Sequence, residues 1–315
     1  MTKKIAFLFP GQGAQAVGMG KDVAESSNSA KSVYETADSV LGKSVSTLCF
    51  EGPEDSLKQT VNTQPCIVTT SIALLEALKE GLDIVPDYVA GHSLGEYCAM
   101  YTAGVMNLET TLRAIQKRAD LMSATKGGSM AAVLNASEEQ LKAGLEEGSK
   151  VGYVDVANYN SPAQVVITGA EDAVKAASDY MVANGVRRVV PLAVSGAFHS
   201  KFMENAGKEF AEFVSNLDLN NASIPVITNV DAEITTNSED FRVKMPKQIY
   251  SSVHWTQTIE KMIAEGVDTF VEIGPGKVLA GLNKKISSEI KTYNVFDKAS
   301  LDATVGALKE ELAGV

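Results

Sequence analysis

The sequence predicts an α/β fold with a mainly parallel sheet and a small ferredoxin-like α+β unit inserted into it. Short apolar runs alternate with helical segments at both ends of the chain, which is typical of parallel α/β sheets. Between residues 128 and 196 the order changes to β-α-β-β-α-β, the split pattern of a ferredoxin-like unit. We therefore expect a large domain from residues 1–127 and 197–315 and a small domain from residues 128–196.

The composition is that of an ordinary globular protein: 315 residues, of which 45% are hydrophobic and 21% are charged. The net charge of −11 argues against nucleic acid as a partner, because phosphate binding needs a basic surface. Three widely spaced cysteines, Cys49, Cys66 and Cys98, indicate neither a disulfide framework nor a metal site. No stretch is long enough to cross a membrane, so we expect a cytoplasmic protein without nucleic-acid, membrane or metal partners.

The first part of the chain contains two apolar runs that predict strands, each followed by a glycine-containing turn. The run over 5–9 ends at Pro10-Gly11-Gln12-Gly13, and the run over 88–91 ends at a Gly-His-Ser-Leu-Gly turn. Helical spacing of apolar residues predicts helices over 30–41, 64–80, 94–103 and 108–123.

The inserted unit and the remainder of the chain follow the same rules of periodicity. In the unit we predict strands over 130–134, 152–159, 164–168 and 188–194, with helices over 138–147 and 170–184. After it we predict helices over 201–217, 256–265 and 301–312, with strands over 225–229, 269–273 and 292–296.

The second glycine turn carries the strongest chemical signal in the sequence. Gly91-His92-Ser93-Leu94-Gly95 has the G-x-S-x-G pattern of a nucleophile elbow, in which a tight turn from strand to helix exposes a serine. The helix that follows would place its positive end beside Ser93, where a developing oxyanion is stabilised. Five letters can also match by chance, but the strand–turn–helix context favours a nucleophile and a hydrolase-like large domain.

A serine needs a base, and the chain has only three histidines. His92 is adjacent to Ser93 in a tight turn, so we expect a structural role, and His254 precedes a helix where capping or packing histidines are common. His199 lies where the inserted domain returns to the large one, and such clefts are favoured ligand sites. No acidic residue lies close to His199 on its N-terminal side, which disfavours an α/β-hydrolase and leaves a backbone carbonyl to orient the ring.

An anchor for an acidic substrate should project from the buried side of a helix. The predicted helix over 108–123 has an apolar stripe, and Arg118 lies roughly 80° from its centre, nearer than Arg113 or Lys117. Arg118 is therefore the cation best placed to bind a carboxylate, although an arginine that extends to the surface fits the same spacing. The turn at Gly11-Gln12-Gly13 is either a second oxyanion donor or an ordinary strand-ending turn.

Four motifs together resemble a known family. They are Phe9-Pro10-Gly11-Gln12-Gly13-Ala14-Gln15, Gly91-His92-Ser93-Leu94-Gly95-Glu96-Tyr97, Gln116-Lys117-Arg118-Ala119 and Gly196-Ala197-Phe198-His199-Ser200. In this order the chain resembles, over nearly its whole length, the malonyl-CoA:acyl carrier protein transacylases of bacterial fatty-acid synthesis. It also resembles the acyltransferase domains of polyketide synthases.

The resemblance implies a role for each matching residue. Ser93 would form the acyl-enzyme, His199 would be the base and Arg118 would bind the malonyl carboxylate. The backbone N–H groups of Gln12 and Leu94 would form the oxyanion hole.

Further residues match the family less directly. The main-chain carbonyl of Gln248 would orient the histidine, and Asn160 corresponds to a residue that lines the cleft. Phe198 resembles the malonyl-selective form of its motif, although a bulky wall discriminates one methyl group by only about 1–3 kcal/mol. The sequence departs from the common pattern at Ala163 and Ala197, neither of which is a reacting group.

The implied function is transfer of malonyl from malonyl-CoA to the phosphopantetheine thiol of acyl carrier protein by a ping-pong mechanism, which supplies the extender unit for fatty-acid synthesis. Malonyl-CoA and the phosphopantetheinylated carrier are both substrates, and we expect no resident cofactor and a monomer. Alternatives are a polyketide acyltransferase, a serine thioesterase and a non-catalytic docking subunit. Because acyl carrier proteins are acidic, we expect basic residues near the cleft, and the candidates are Lys117, Arg187, Arg188 and Lys201.

Overall fold

The computed structural model describes residues 3–313, which form two β-sheets and the helices that cover them. The strands are β1 (Lys4–Phe9), β2 (Tyr88–Gly91), β3 (Ser129–Leu134), β4 (Val154–Ser161), β5 (Gln164–Gly169), β6 (Arg188–Pro191), β7 (Val226–Ile227), β8 (Ile234–Thr235), β9 (Val267–Ile273) and β10 (Lys291–Val295). The helices are α1 (Lys21–Ser26), α2 (Asn28–Leu41), α3 (Val45–Glu51), α4 (Glu54–Leu57), α5 (Thr60–Gly81), α6 (Glu96–Thr102), α7 (Leu108–Ala124), α8 (Glu138–Ser149), α9 (Glu171–Ala183), α10 (Glu204–Ser215), α11 (Ser238–Tyr250), α12 (Trp255–Ala264), α13 (Val278–Ile286) and α14 (Lys298–Ala313).

The larger sheet confirms the predicted fold class. Its six strands lie in the order β10-β9-β1-β2-β7-β8, and every neighbouring pair is parallel except β7 and β8. The central strand β1 is a continuous apolar run because helices cover both faces of a parallel sheet. Ile5, Phe7 and Phe9 pack into the core on one face, and Ala6 and Leu8 pack into a separate core on the other.

The smaller sheet is antiparallel throughout, with strand order β4-β5-β3-β6, and the helices α8 and α9 accompany it. This is the ferredoxin-like arrangement that the β-α-β-β-α-β order predicts. Gly127 and Gly196 form an isolated bridge between the two ends of this segment. The domain boundaries at 127/128 and 196/197 stay a prediction.

The long helix α5 packs largely inside the protein, with most of its residues buried. Its buried face includes Cys66, Ile67, Ile72 and Leu75, which belong to the main core together with α2 and α7. Within residues 3–313 no helix, α5 included, is long and apolar enough to cross a membrane.

The neighbouring strands β1 and β2 bring the two glycine turns to one edge of the sheet. Phe9 is opposite Gly91 in the parallel register, and the His92 N–H continues the pairing by donating to the Phe9 carbonyl at 2.9 Å. The chain leaves β1 toward Gln12 and leaves β2 toward Ser93 at the carboxyl ends of the strands. Crevices at this edge are where open α/β sheets bind ligands.

Some elements differ from the sequence prediction. The helix predicted from residue 94 begins as a 3₁₀ turn at Ser93–Gly95, and the one predicted from residue 201 begins as a 3₁₀ turn at Lys201–Met203. The strand predicted to reach residue 194 ends at Pro191. The sequence analysis missed α1, α3, α4, α11, α13 and β8. Helix α11 has Phe241, Met245 and Ile249 buried along one face, but Pro246 inside it disfavours a helix in any local reading.

The glycines of the elbow allow a steric prediction. A Cβ on Gly95 would lie 2.2 Å from the Phe9 carbonyl oxygen, so the backbones of β1 and the elbow would have to separate. We expect Gly95→Ala to lower the free energy of unfolding by about 1–3 kcal/mol, measured by urea denaturation followed by circular dichroism. Gly281→Ala is the control, because a Cβ there meets nothing within 4 Å and alanine favours helix α13 by up to about 1 kcal/mol. Equal stability of the two variants would contradict this steric account.

Candidate active site

Ser93 lies at the carboxyl end of β2, immediately before α6, and its backbone has φ 52°. A positive φ is uncommon for a residue other than glycine and marks the sharp turn of an elbow. The turn is possible because Gly91 and Gly95 approach so closely that a Cβ on Gly91 would lie 1.9 Å from the Gly95 carbonyl carbon. The side chain of Ser93 therefore projects from the sheet edge into the crevice.

His199 is in direct contact with this serine. Its Nε2 lies 2.8 Å from the Ser93 Oγ. Its Nδ1 donates to the carbonyl oxygens of Gln248 at 2.9 Å and Ser251 at 3.1 Å. Carbonyl oxygens only accept, so the proton of the neutral ring is on Nδ1 and the lone pair of Nε2 faces the serine. The ring is oriented by main-chain carbonyls, where a hydrolase triad would use a carboxylate.

The surroundings keep this ring uncharged. Burial, followed by the positive charge of Arg118, lowers the pKa of His199 to about 3. His199 is therefore neutral at physiological pH and can accept a proton from Ser93. The main-chain carbonyls of Gln248 and Ser251 act in the opposite direction, since their hydrogen bonds favour the charged ring.

Arg118, on α7, is fully buried beside the same hydroxyl. Its Nη2 donates to the Ser93 Oγ and to the Gln248 Oε1, both at 3.0 Å, and its Nη1 donates to the Gln64 Oε1 at 2.7 Å. All three acceptors are neutral, and within residues 3–313 the buried Nε has no hydrogen-bond partner. A buried cation held only by neutral groups is costly and has room for an anionic ligand.

A cavity of about 100 Å³ adjoins Ser93, His199 and Arg118. It is lined by Gln12, Leu94 and Phe198, among other residues, so three more of the predicted site residues meet here. Asn160 instead lines a neighbouring groove of about 210 Å³, where its Oδ1 lies 2.7 Å from the His92 Nε2. The structure thus places Asn160 beside the cavity, one residue removed from the serine.

Within the described part of the chain, the other polar candidates make no hydrogen bond to the Ser93 hydroxyl, although His92 also lines the cavity. The His92 ring bonds to Asn160 and packs against Trp255, with ring centroids 5.5 Å apart, and His254 stacks on Tyr159 at 5.3 Å. The basic residues proposed for a partner surface do not line the cavity. Arg187, Arg188 and Lys201 are exposed, whereas Lys117 is partly buried.

Three polar contacts of the site escaped the sequence analysis. The Gln248 side chain donates to the Ser93 carbonyl at 2.8 Å, so this residue contacts the serine and Arg118 as well as His199. Asn229 accepts the Ser93 N–H at 2.8 Å, and Glu96 accepts the Asn229 N–H at 2.6 Å. A usable signal existed for Asn229, which ends a predicted strand at the sheet edge where ligands bind.

Comparison with known proteins identifies the family of this chain. The acyl transferase domain family matches residues 6–314. This chain belongs to that family. It is 44% identical over 312 residues to the malonyl CoA-acyl carrier protein transacylase of Bacillus subtilis, covering 98% of each chain. It is 42% identical to the protein of the same name from Synechocystis, covering 93% of this chain and 97% of the other.

Solved structures agree with this assignment of the acyltransferase. An acyl carrier protein S-malonyltransferase from Vibrio cholerae superposes with a TM-score of 0.92 at 38% identity, covering 96% of this chain and all of the other. A malonyl transacylase in a complex with a type II polyketide acyl carrier protein superposes with a TM-score of 0.93 at 35% identity, covering 97% and 100%. The resemblance read from the four motifs is confirmed at the level of the family.

The depressed pKa of His199 predicts an unusual pH profile for Ser93 reactivity. We expect sulfonylation of Ser93 by phenylmethylsulfonyl fluoride to keep a constant rate from about pH 8 to about pH 5, because the neutral base is lost only as the pH falls toward about 3. The adduct is quantified by mass spectrometry at each pH, with circular dichroism to confirm folding. A fall in rate centred at about pH 6.5, the pKa of an ordinary histidine, would refute the assigned environment of His199. Ser93→Ala is the blank.

Proposed function

We propose that this acyltransferase moves a malonyl group from malonyl-CoA to the phosphopantetheine thiol of acyl carrier protein through a malonyl ester of Ser93, and so supplies the extender unit for fatty-acid synthesis. The observation that carries this proposal is the buried Arg118 guanidinium, whose Nη2 lies 3.0 Å from the Ser93 hydroxyl. In a malonyl ester the carboxylate is only two bonds beyond the ester carbonyl carbon. A cation for that carboxylate must therefore lie close to the serine, as Arg118 does.

The first half-reaction begins at the contact between Ser93 and His199. The Nε2 of His199 takes the hydroxyl proton as Oγ attacks the thioester carbonyl, and a tetrahedral oxyanion forms. The N–H groups of Gln12 and Leu94 are the proposed donors to this oxyanion, since both residues line the cavity next to the serine. The carbon–sulfur bond then breaks, and the proton on His199 passes to the departing thiolate of coenzyme A.

The second half-reaction reverses these roles with a different thiol. His199 accepts the proton of the phosphopantetheine thiol, and the sulfur attacks the malonyl ester of Ser93. The bond between carbon and Oγ breaks, and the proton returns to the serine. Until the carrier thiol attacks, a bidentate pair between Arg118 and the malonyl carboxylate holds the acyl group in one orientation.

Cavity size supports a short acyl group. The space beside Ser93 is about 100 Å³, well below the roughly 300–1,000 Å³ of pockets that hold drug-sized ligands. Phe198 forms part of its wall and is almost fully buried, which favours malonyl over a branched acyl group. No resident cofactor is needed, because malonyl-CoA and the phosphopantetheinylated carrier bind as substrates and their products leave.

We further propose a cytoplasmic enzyme whose partner is an acidic acyl carrier protein. The exposed Arg187, Arg188 and Lys201 are the candidates for contacts with that carrier. A carrier of polyketide synthesis is the second candidate partner, because a relative that covers this fold has been solved with a carrier of that type. Comparing the rate of malonyl transfer to carriers of the two kinds decides between them.

Selection by charge gives the sharpest test of the proposed substrate. Arg118→Ala is expected to reduce the rate of malonyl transfer by the equivalent of about 2–5 kcal/mol, since a buried charge partner is lost, and to reduce acetyl transfer far less. The measurement is the ratio of kcat/KM for malonyl-CoA and acetyl-CoA. Arg113→Ala is the matched control, because Arg113 lies on the same helix but is exposed and pairs with Glu109. An unchanged ratio in Arg118→Ala would rule out this substrate assignment.

Transfer must also be distinguished from hydrolysis and from simple docking. After malonyl-CoA is mixed with the protein, we expect mass spectrometry to show one malonyl adduct on Ser93 that disappears when holo acyl carrier protein is added. We expect malonyl carrier to form at least about tenfold faster than free malonate, because the site is built to hold the ester for a thiol. Rapid malonate release with or without the carrier would identify a thioesterase. Absence of any adduct would identify a non-catalytic subunit.

A further inference from the structure

Two buried polar side chains lie beside the Ser93 elbow without any part in the acyl transfer described above. Asn229 follows β7 and is fully buried, and Glu96 begins α6 with 1% of its surface exposed. Buried amides and carboxylates are costly unless hydrogen bonds satisfy them. The hydrogen bonds of Asn229 and Glu96 therefore indicate the role of these two residues.

The side-chain amide of Asn229 spans the elbow. Its Oδ1 accepts the Ser93 N–H at 2.8 Å, and its Nδ2 donates to the Gly91 carbonyl at 2.8 Å. One planar group thus joins the last residue of β2 to the serine, across the intervening His92. The Oδ1 also lies 3.3 Å from the Gln248 Nε2, which itself donates to the Ser93 carbonyl.

The Asn229 amide spans the strained backbone of Ser93. Ser93 has φ 52°, in the left-handed region where a residue with a Cβ costs roughly 1–2 kcal/mol. Such a conformation persists only when its surroundings hold it in place. The amide of Asn229 satisfies one backbone group on each side of the turn, so it opposes relaxation of the turn to a negative φ. The direction of the Ser93 side chain depends on that φ.

Glu96 fixes the backbone of Asn229. Its Oε2 accepts the Asn229 backbone N–H at 2.6 Å, which ties the start of α6 to the segment after β7. Burial raises the pKa of Glu96 to about 7, while the Asn229 N–H and the charges of Arg118 and Lys244 favour the ionised form and Asp231 opposes it. The contact needs only an acceptor oxygen, which a glutamine amide also supplies.

We propose that Asn229 is a positioning residue, which holds the Ser93 hydroxyl in line with His199 and the oxyanion donors, and that Glu96 acts through Asn229. The inference rests on the proposed role of Ser93 as the nucleophile. It does not depend on which acyl group the serine carries.

The test is the reactivity of Ser93 in Asn229→Ala, measured with two reagents. Phenylmethylsulfonyl fluoride reports attack by the serine without any need for Arg118 or a carrier. Malonyl-CoA reports acylation of the serine, which is measured by rapid quenching and mass spectrometry. We expect both first-order rates at saturation, corrected for the folded fraction, to fall about tenfold to about hundredfold, because small misplacements of reacting groups cost this much. The malonyl-CoA concentration at half saturation should change by less than about threefold, since binding contacts are intact.

Thr228→Val is the matched control. Thr228 precedes Asn229, is equally buried and also loses side-chain hydrogen bonds, but its hydroxyl contacts Asp231, Thr235 and Lys244 and none of the elbow residues. A general loss of stability lowers the melting temperature of both variants while the rate per folded molecule stays at the wild-type value. If Asn229→Ala does not fold, Asn229→Asp carries the same measurement. It keeps an acceptor for Ser93 but places a second acceptor against the Gly91 carbonyl.

Two substitutions of Glu96 distinguish a positioning role from a packing role. Glu96→Gln should keep the sulfonylation rate within about threefold, and Glu96→Ala should lower it by about tenfold, because an acceptor is lost only in the second variant. In combination with Asn229→Ala, Glu96→Ala should cause no further loss, since its effect passes through the missing amide. The inference is overturned if folded Asn229→Ala or its Asp substitute reacts at the wild-type rate, or if the two losses multiply. A wild-type protein that is sulfonylated but never malonylated would instead refute the proposed function alone.

Discussion

The positive φ of Ser93 is the constraint on which the site depends. It turns the chain from β2 into α6 so sharply that only glycine fits at positions 91 and 95, where a Cβ would meet backbone atoms at 1.9 and 2.2 Å. The same close approach lets β1 and β2 run side by side, which brings the Gln12 turn next to the serine. Sheet register, elbow geometry and the proposed oxyanion hole are therefore consequences of one tight backbone crossing.

Arg118 links the electrostatics of the site to its geometry. Its guanidinium is buried, bonds to neutral oxygens and lies near the imidazole of His199, whose pKa it helps to lower. The cation therefore has two effects. It adds to the effect of burial in keeping the base neutral, and its Nε, unpartnered within residues 3–313, leaves it partly unsatisfied and able to bind an anion. An acyl group without a charge would leave Arg118 buried with only neutral hydrogen-bond partners among the residues that the structure describes.

The sequence predicted what local patterns determine. Apolar runs and helices of period 3.6, taken in their order along the chain, predicted both sheets, and the G-x-S-x-G turn in its strand–helix context predicted the position of Ser93. Helical angle indicated that Arg118 faces inward, although the same angle allowed a surface arginine. The contact between Asn229 and Glu96 could not be found in this way, because it joins segments far apart in the chain. The position of Asn229 at the end of a predicted strand indicated only that it lies at the sheet edge where ligands bind. Helix α11 was not predicted, and Pro246 inside it weakens the local signal that its apolar stripe gives.

Main-chain carbonyls, and not a carboxylate, contact the His199 Nδ1, which bears on how strong a base the ring is. Main-chain carbonyls fix the tautomer but stabilise an imidazolium less than a carboxylate does, and with a pKa of about 3 the ring is a weak base in the free enzyme. A malonyl carboxylate bound to Arg118 would offset the second-largest cause of that low pKa, the positive charge of Arg118. The base would then strengthen only when the proposed acyl group is in place. The substrate's own charge would then contribute to catalysis as well as to binding.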